Sequence, residues 1–379
     1  MGSLPDPAAG LENGARLRLG TDRSVDTMLE RRLGKTGLDV SVLGLGCYQF
    51  TEEFHVMQDT ANAILDYAMD HGITYYDTAQ MYGWGESEEL LGRALARHRD
   101  NRRLRFSTKM GYFEGTVREE YANTVRQTDA KAFVDPVKMM RALKHSMWLL
   151  QKDVIDIFSI HEPDWPQWQI DYEHARGAAI DFLLETKKEG LVRSIGLGGW
   201  DYHGLAQLVK SGKFDFVLPA GGMSLLSKPI YDELIPACVQ HGVGIALGGG
   251  FGQNNPFLIA KDRRWLELLR PLEDERVQNV VRKLERIYRL SDETGLSLPE
   301  LTIRYIINHE EIATHVAGAR EIAHIRQNIE SAGRGPLAPD VFRELEEIQK
   351  IGECLPIWDL RDLSRELVKK LDHYTGGKI

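Results

Sequence analysis

Four titratable side chains in this 379-residue chain stand where they could act on one small molecule. Asp77 closes the run Ile73-Thr74-Tyr75-Tyr76-Asp77, Lys109 closes Arg105-Phe106-Ser107-Thr108-Lys109, and His161 closes Ile155-Asp156-Ile157-Phe158-Ser159-Ile160-His161. Tyr82 follows Asp77 by five residues. A carboxylate and an ammonium at the ends of buried strands need partners, because an isolated buried charge is costly. The simplest solution is that Asp77 and Lys109 pair. A phenol titrates near pH 10 in water, and a neighbouring ammonium favours its ionised form. Tyr82 beside Lys109 could then protonate a carbonyl oxygen, or deprotonate an alcohol in the reverse direction. His161 could hydrogen-bond the same oxygen and stabilise its developing charge. A hydride has to come from a cofactor, which the protein positions.

These residues can meet only if their segments are neighbours. From Met28 onward, short β-branched or apolar runs alternate with helical stretches. The runs fall at 41–46, 74–77, 105–109, 155–161, 194–198, 214–218, 244–247 and 314–317. Helical patterns fill the intervals, and several end in a glycine stop such as His71-Gly72, Glu189-Gly190 and His241-Gly242. Eight repeats of strand and helix predict an α/β fold, a parallel sheet closed as a (β/α)8 TIM barrel. Its active site then lies at the C-terminal ends of the strands, where Asp77, Lys109 and His161 stand on successive strands. An open doubly wound sheet is disfavoured, since no GxGxxG turn follows the first strand. Met28–Ser41 reads as a hairpin around Lys35-Thr36-Gly37. Insertions at 111–135 and 248–296 leave from the mouth, the second with a helix near 275–292. Residues 1–27 read as a flexible extension, 28–333 as the barrel domain and 334–379 as a C-terminal extension packed on it.

The motifs Tyr76-Asp77-Thr78-Ala79 with Met81-Tyr82-Gly83, Ser107-Thr108-Lys109 and His161-Glu162-Pro163-Asp164 resemble the active-site motifs of the aldo-keto reductase superfamily. Arg32-Leu33-Gly34-Lys35-Thr36-Gly37-Leu38 and Gly44-Leu45-Gly46 fit its bacterial members. The resemblance implies a catalytic tetrad of Tyr82, Asp77, Lys109 and His161. It also implies NAD(P)H-dependent reduction of an aldehyde or ketone without a Rossmann domain. Gly46 and Asp77 would adjoin the cofactor.

Near the end, His315-Val316-Ala317-Gly318-Ala319-Arg320 leads into a helix whose first N–H groups suit a phosphate. Arg320 could fork onto a 2′-phosphate, so NADP(H) is favoured, with NAD(H) the alternative. By the family pattern Asn328 contacts adenine and Gln327 assists. Gly318 belongs to the same cofactor set. The nicotinamide end departs from that pattern. Gly198-Gly199-Trp200 replaces the usual Ser-Asn pair, no Gln lies on the sixth strand, and Met223 stands at the usual stacking Tyr. Gln253 or Asn254 is the candidate replacement for the missing amide.

Tyr48, Trp84, Tyr112 and Trp200, with Trp165 and Trp168, are the aromatics expected at the mouth. Aromatics bordered by polar groups favour a polyol, sugar or sugar-derived carbonyl as substrate. Two rival functions use the same barrel. One is a redox-neutral epimerase or lyase with a retained nicotinamide, and the other is a non-catalytic, cofactor-sensing subunit.

The bulk composition narrows the partners. Net charge is −9 with both signs interspersed, which gives no basic stripe for nucleic acid. Three cysteines without a CxxC pair suggest no metal site and fit a reducing cytoplasm. No apolar run nears the ~18 residues of a membrane span, and the first residues lack the apolar core of a signal peptide. A small-molecule substrate is expected; a homo-oligomer is compatible with these features.

Overall fold

Runs of alternating or wholly apolar residues become strands here because each can bury both faces between a packed barrel interior and a ring of helices. The computed structural model describes residues 28–98, 100–111, 130–252, 255–259 and 262–375. A two-stranded antiparallel hairpin, β1 (Glu30–Arg32) and β2 (Asp39–Ser41), comes first. Eight parallel strands follow: β3 (Leu43–Gly46), β4 (Tyr75–Asp77), β5 (Arg105–Met110), β6 (Ile155–His161), β7 (Val192–Gly199), β8 (Phe216–Pro219), β9 (Gly244–Gly248) and β10 (Thr314–Gly318). Each pairs with the next, and β10 closes on β3, so the sheet is a closed barrel. The expected TIM barrel and its N-terminal hairpin are both present.

Side chains alternate between barrel interior and helix layer along each strand. The interior cluster holds Tyr75, Ile157, Phe216, Leu218, Ala246 and Val316. Leu33, Leu38 and Val40 of the hairpin belong to the same cluster. The hairpin therefore plugs the bottom of the barrel, and Lys35 N–H donates to Gly242 O at 2.7 Å. The opposite end remains for the site. The outer cluster contains Leu43, Leu45, Tyr76, Phe106, Phe158, Ile160, Ile195, Leu197 and Val217, packed under the helices.

Between β9 and β10 the helices Pro256–Ile259, Arg264–Leu269 and Glu275–Thr294 precede the regular Leu298–Ile307. Asp274 caps the long one, accepting from Arg276 N–H. Two helices, Pro339–Gln349 and Ile357–Thr375, end the chain. They hold the loop after β8. Gln349 Nε2 donates to Ser224 O and Leu225 O at 3.2 and 2.9 Å, and Lys228 pairs with Glu346 at 2.7 Å. Lys283, from the long helix, donates to Leu226 O at 2.8 Å. The second C-terminal helix sets Trp358 against Trp200, with ring centroids 4.1 Å apart.

Candidate active site

Backbone register brings the four candidate residues together. Asp77 aligns with Ser107 across β4 and β5, and Lys109 aligns with Ser159 across β5 and β6. Asp77, Lys109 and His161 all face the interior at the C-terminal rim. Lys109 Nζ donates to both carboxylate oxygens of Asp77, at 2.5 and 2.7 Å, and to Thr78 O at 2.8 Å. It stands 3.5 Å from Tyr82 Oη and 5.1 Å from the centre of that ring. Ser107 Oγ donates to Asp77 Oδ2 at 3.3 Å. Both charges are almost fully buried, with side-chain exposures of 1% and 5%. Burial pushes Asp77 above the usual carboxylate value, and Lys109 opposes that rise. A pair this short keeps an ammonium beside the phenol, which favours the ionised phenol.

Tyr82 opens a tight turn, Tyr82–Gly85, after β4. Gly83, Trp84 and Gly85 follow with φ of 57°, 58° and 96°. A left-handed non-glycine such as Trp84 is uncommon and marks an over-determined bend. At Gly83 a Cβ would fall 2.6 Å from Thr51 Cγ2 and 2.8 Å from Glu86 Oε2, so a side chain there fits only if those neighbours shift. The bend turns the half-buried phenol of Tyr82 back over Lys109. Tyr48 packs edge-on to it, with centroids 5.1 Å apart, and rests on Phe54.

His161 lies across from Tyr82, with ring centroids 5.7 Å apart and planes at 79°. Burial, and secondarily the Lys109 charge, holds its pKa well below the ordinary value. It is therefore a neutral imidazole, able to donate to an oxygen without bringing a charge. Trp165 and Trp168, expected at the mouth, are buried behind it at 4% and 0% exposure. Trp165 stacks on the imidazole and Trp168 Nε1 donates to His161 O at 3.0 Å. Their large apolar area drives them under the rim, where Phe133 closes the packing on Trp168.

The remaining candidates are dispersed. Trp84 packs on the core, and Trp200 is half-buried against Trp358. Tyr112, Gln253 and Asn254 lie outside the described residues. Gly46 and Gly318 sit opposite one another across β3 and β10. Asn328 is buried, its Nδ2 donating to Gly318 O at 3.4 Å, and Gln327 Nε2 reaches Ser297 Oγ at 3.5 Å. Arg320 is exposed. Glu321 stands at the N-cap of the helix Ile322–Gly333 without capping it by its side chain. Met223 is fully buried in the core rather than presented as a stacking surface. Gly222 beside it lies close against Ile230, where a Cβ would fall 2.2 Å from Cγ2.

Glu88 gave no signal in the sequence, where it resembles its solvated neighbours Glu86 and Glu89. It is buried on the helix side of β5 and accepts from Thr108 Oγ1 at 2.6 Å. Burial raises its pKa to about 7, with hydrogen bonds from Thr108 and Ser146 and the Lys109 charge opposing. It is thus a titratable group one residue from Lys109. Among the described residues no group of His, Cys, Asp and Glu is arranged to hold a metal ion. None of the described helices is long and apolar enough to cross a membrane.

Comparison with known proteins gives a consistent result. The family model described as "Aldo/keto reductase family" matches residues 42–350. The chain is 27% identical over 331 residues to the D-threo-aldose 1-dehydrogenase of a Pseudomonas species, covering 83% of this chain and 96% of that protein. It is 27% identical over 325 residues to the pyridoxal 4-dehydrogenase of Microbacterium luteolum, covering 79% and 92%. The holo form of an aldo-keto reductase from Bacillus halodurans superposes with a TM-score of 0.65 at 23% identity, over 87% of this chain and 99% of that one. That last likeness is one of fold.

Proposed function

This chain belongs to the aldo/keto reductase family of oxidoreductases, and we propose that it interconverts a carbonyl and an alcohol with NAD(P)(H), using Tyr82 as the general acid and base. The observation that supports this reading most directly is the contact of Lys109 with Asp77 on one side and Tyr82 on the other. The nicotinamide, when bound, supplies or takes the hydride. Tyr82 Oη gives its proton to the oxygen of the reacting carbonyl in one direction and removes it in the other. Lys109 stabilises the phenolate left behind, and Asp77 holds Lys109 in register. His161, neutral, donates to the same oxygen and stabilises its developing negative charge.

The residues present suit a dinucleotide at its phosphate end. Gly46 and Gly318 leave the rim between β3 and β10 without side chains, and the helix from Ile322 offers backbone N–H groups beside Arg320. Arg320 favours NADP(H), with NAD(H) the alternative, while Asn328 and Gln327 serve the adenine. At the nicotinamide end Gly198 and Gly199 bring no side chain. A Cβ on Gly199 would fall 2.9 Å from Glu162 Oε2, so Glu162 fills the space of a strand-borne amide there. Tyr48 and Trp200 border the substrate. An aldose or another hydroxylated carbonyl is the substrate class we favour, in keeping with the aldose dehydrogenase among its relatives.

The test has two stages. Titration with NADPH and NADH, read by quenching of tryptophan fluorescence, is expected to show saturable binding. Turnover of aldoses and small ketones is then followed at the reduced-nicotinamide band. Tyr82→Phe is expected to bind cofactor normally and to lose about 10²–10⁴-fold in kcat. Binding of neither cofactor, or full turnover by Tyr82→Phe, overturns the reading.

A further inference from the structure

Every strand-borne member of the tetrad has a hydroxyl residue two positions before it. Tyr75 precedes Asp77, Ser107 precedes Lys109, and Ser159 precedes His161. Residues i and i−2 of a strand share a face, so these three form a layer directly below the tetrad. Thr314 joins them. Its Oγ1 and Tyr75 Cδ1 lie 3.0 and 2.8 Å from the point where a Cβ on Gly44 would fall. Ser159 Oγ and Phe216 Cδ1 flank the corresponding point of Gly196 at 2.8 and 2.7 Å. Phe216 in turn lies against Tyr75, with ring centroids 6.4 Å apart. All four hydroxyl residues are fully buried.

Ser107 uses its hydroxyl on Asp77. It also faces the Tyr75 phenol and eases its ionisation, without hydrogen-bonding geometry. The hydroxyls of Tyr75, Ser159 and Thr314 have no hydrogen-bond partner among the described residues. Buried hydroxyls nearly always have a partner, either protein or ordered water. An internal water typically makes about three hydrogen bonds to otherwise unpaired buried polar groups.

We propose that this layer binds water directly beneath the tetrad, and that Ser107 is the positioning residue coupling the layer to Asp77. Asp77 is shut off from bulk solvent, and Lys109 occupies its two oxygens from one side. Ser107 and the water below supply the remaining polar surroundings without opening the mouth. Asp77 so hydrated stays ionised and keeps Lys109 beside Tyr82. The other groups facing Asp77 are the Tyr75 phenol and the Cys47 thiol, both pushed up by burial and so neutral. Tyr82, His161 and Glu88 face Lys109 from the mouth and the helix layer.

The test uses the full chain. In a high-resolution crystal structure, solvent density is expected within about 2.7–3.2 Å of two or more of the Tyr75, Ser159 and Thr314 hydroxyls. Tyr75→Phe keeps its ring against Phe216 and should lose or displace that density. Hydroxyls paired with each other, or a dry interior, overturn the water layer. For Ser107 the readout is the acid limb of kcat/KM. Ser107→Ala is expected to raise it by about one pH unit, and Ser107→Thr to restore it. An unmoved limb in folded Ser107→Ala overturns the positioning role. This second arm rests on the carbonyl-reduction reading; the crystallographic arm needs no activity, so the two failures are distinguishable.

Discussion

Replacing Lys109 by Met should destabilise the protein in a way that depends on pH. The substitution keeps the aliphatic stem and removes the ammonium from beside Asp77. Leaving one partner of a buried pair alone costs about 3–5 kcal/mol. Asp77 can limit that cost by taking up a proton on folding. The cost of that proton at pH 7 is about 1.36 × (7 − 3.9), or about 4 kcal/mol, from the unfolded carboxyl near 3.9. The folded variant binds a proton that the unfolded chain does not, so its stability falls as pH rises, by about 1.4 kcal/mol per pH unit above pH 4. At pH 5 the loss should therefore be only about 1.5 kcal/mol. In the wild type Lys109 opposes the rise caused by burial, so the same trend occupies a lower pH window. Urea denaturation at pH 5, 6 and 7, followed by tryptophan fluorescence, measures the difference. The double variant Asp77→Asn/Lys109→Met carries no charge at this pair, and should recover most of the pH-7 loss and keep only the shallower slope that Glu88 contributes to every variant. A single variant whose slope does not exceed that of the double variant would refute the assignment of Asp77 as the isolated charge.

Glu88→Gln should reverse sign with pH. The folded carboxyl at about 7 stands above its unfolded value of 4.5, so its favourable contribution is complete below pH 4.5 and lost as pH rises through 7. The variant should be more stable than wild type at pH 8 by about 3 kcal/mol and no better at pH 4.5, which thermal melts at both pH values check. Gly83→Ala should lower kcat at least tenfold while costing about 1–3 kcal/mol; normal turnover would show that the left-handed bend does not place Tyr82. Trp168→Ala should cost about 3–5 kcal/mol and lower kcat as well, because it removes both the packing and the Nε1 bond behind His161; a stability loss with unchanged kcat would separate the two. Arg320→Ala should weaken NADPH at least tenfold and leave NADH nearly unchanged, read by fluorescence titration; equal losses would refute contact with a 2′-phosphate.

Strand periodicity, eight times repeated with helices between, was enough for the barrel. The reason is that a parallel strand buried on both faces is a local pattern of apolar residues, and its connection is restricted by handedness. The meeting of the four candidate residues was legible for a related reason. A charged residue closing an apolar strand is conspicuous, and in a barrel successive strand ends are neighbours whatever the loops do. Asp77, Lys109 and His161 needed nothing more, and Tyr82 needed only to follow Asp77 closely.

What the sequence left undecided depends on distance and burial. Trp165 and Trp168 carry the same aromatic signal as Tyr48, but only packing showed that they stand behind His161 while Tyr48 lies on Tyr82. Met223 stands where the family's stacking Tyr is missing, and only the structure shows that it is buried in the core. Glu88 reads as one more acidic residue on an amphipathic helix until its burial beside Thr108 shifts its titration. The residue types and their order along the chain fixed which groups could react. Burial shifted their titration, upward for Asp77 and Glu88 and downward for His161, and at Asp77 the Lys109 charge opposes that shift. That burial is a property of the assembled barrel and of no segment alone.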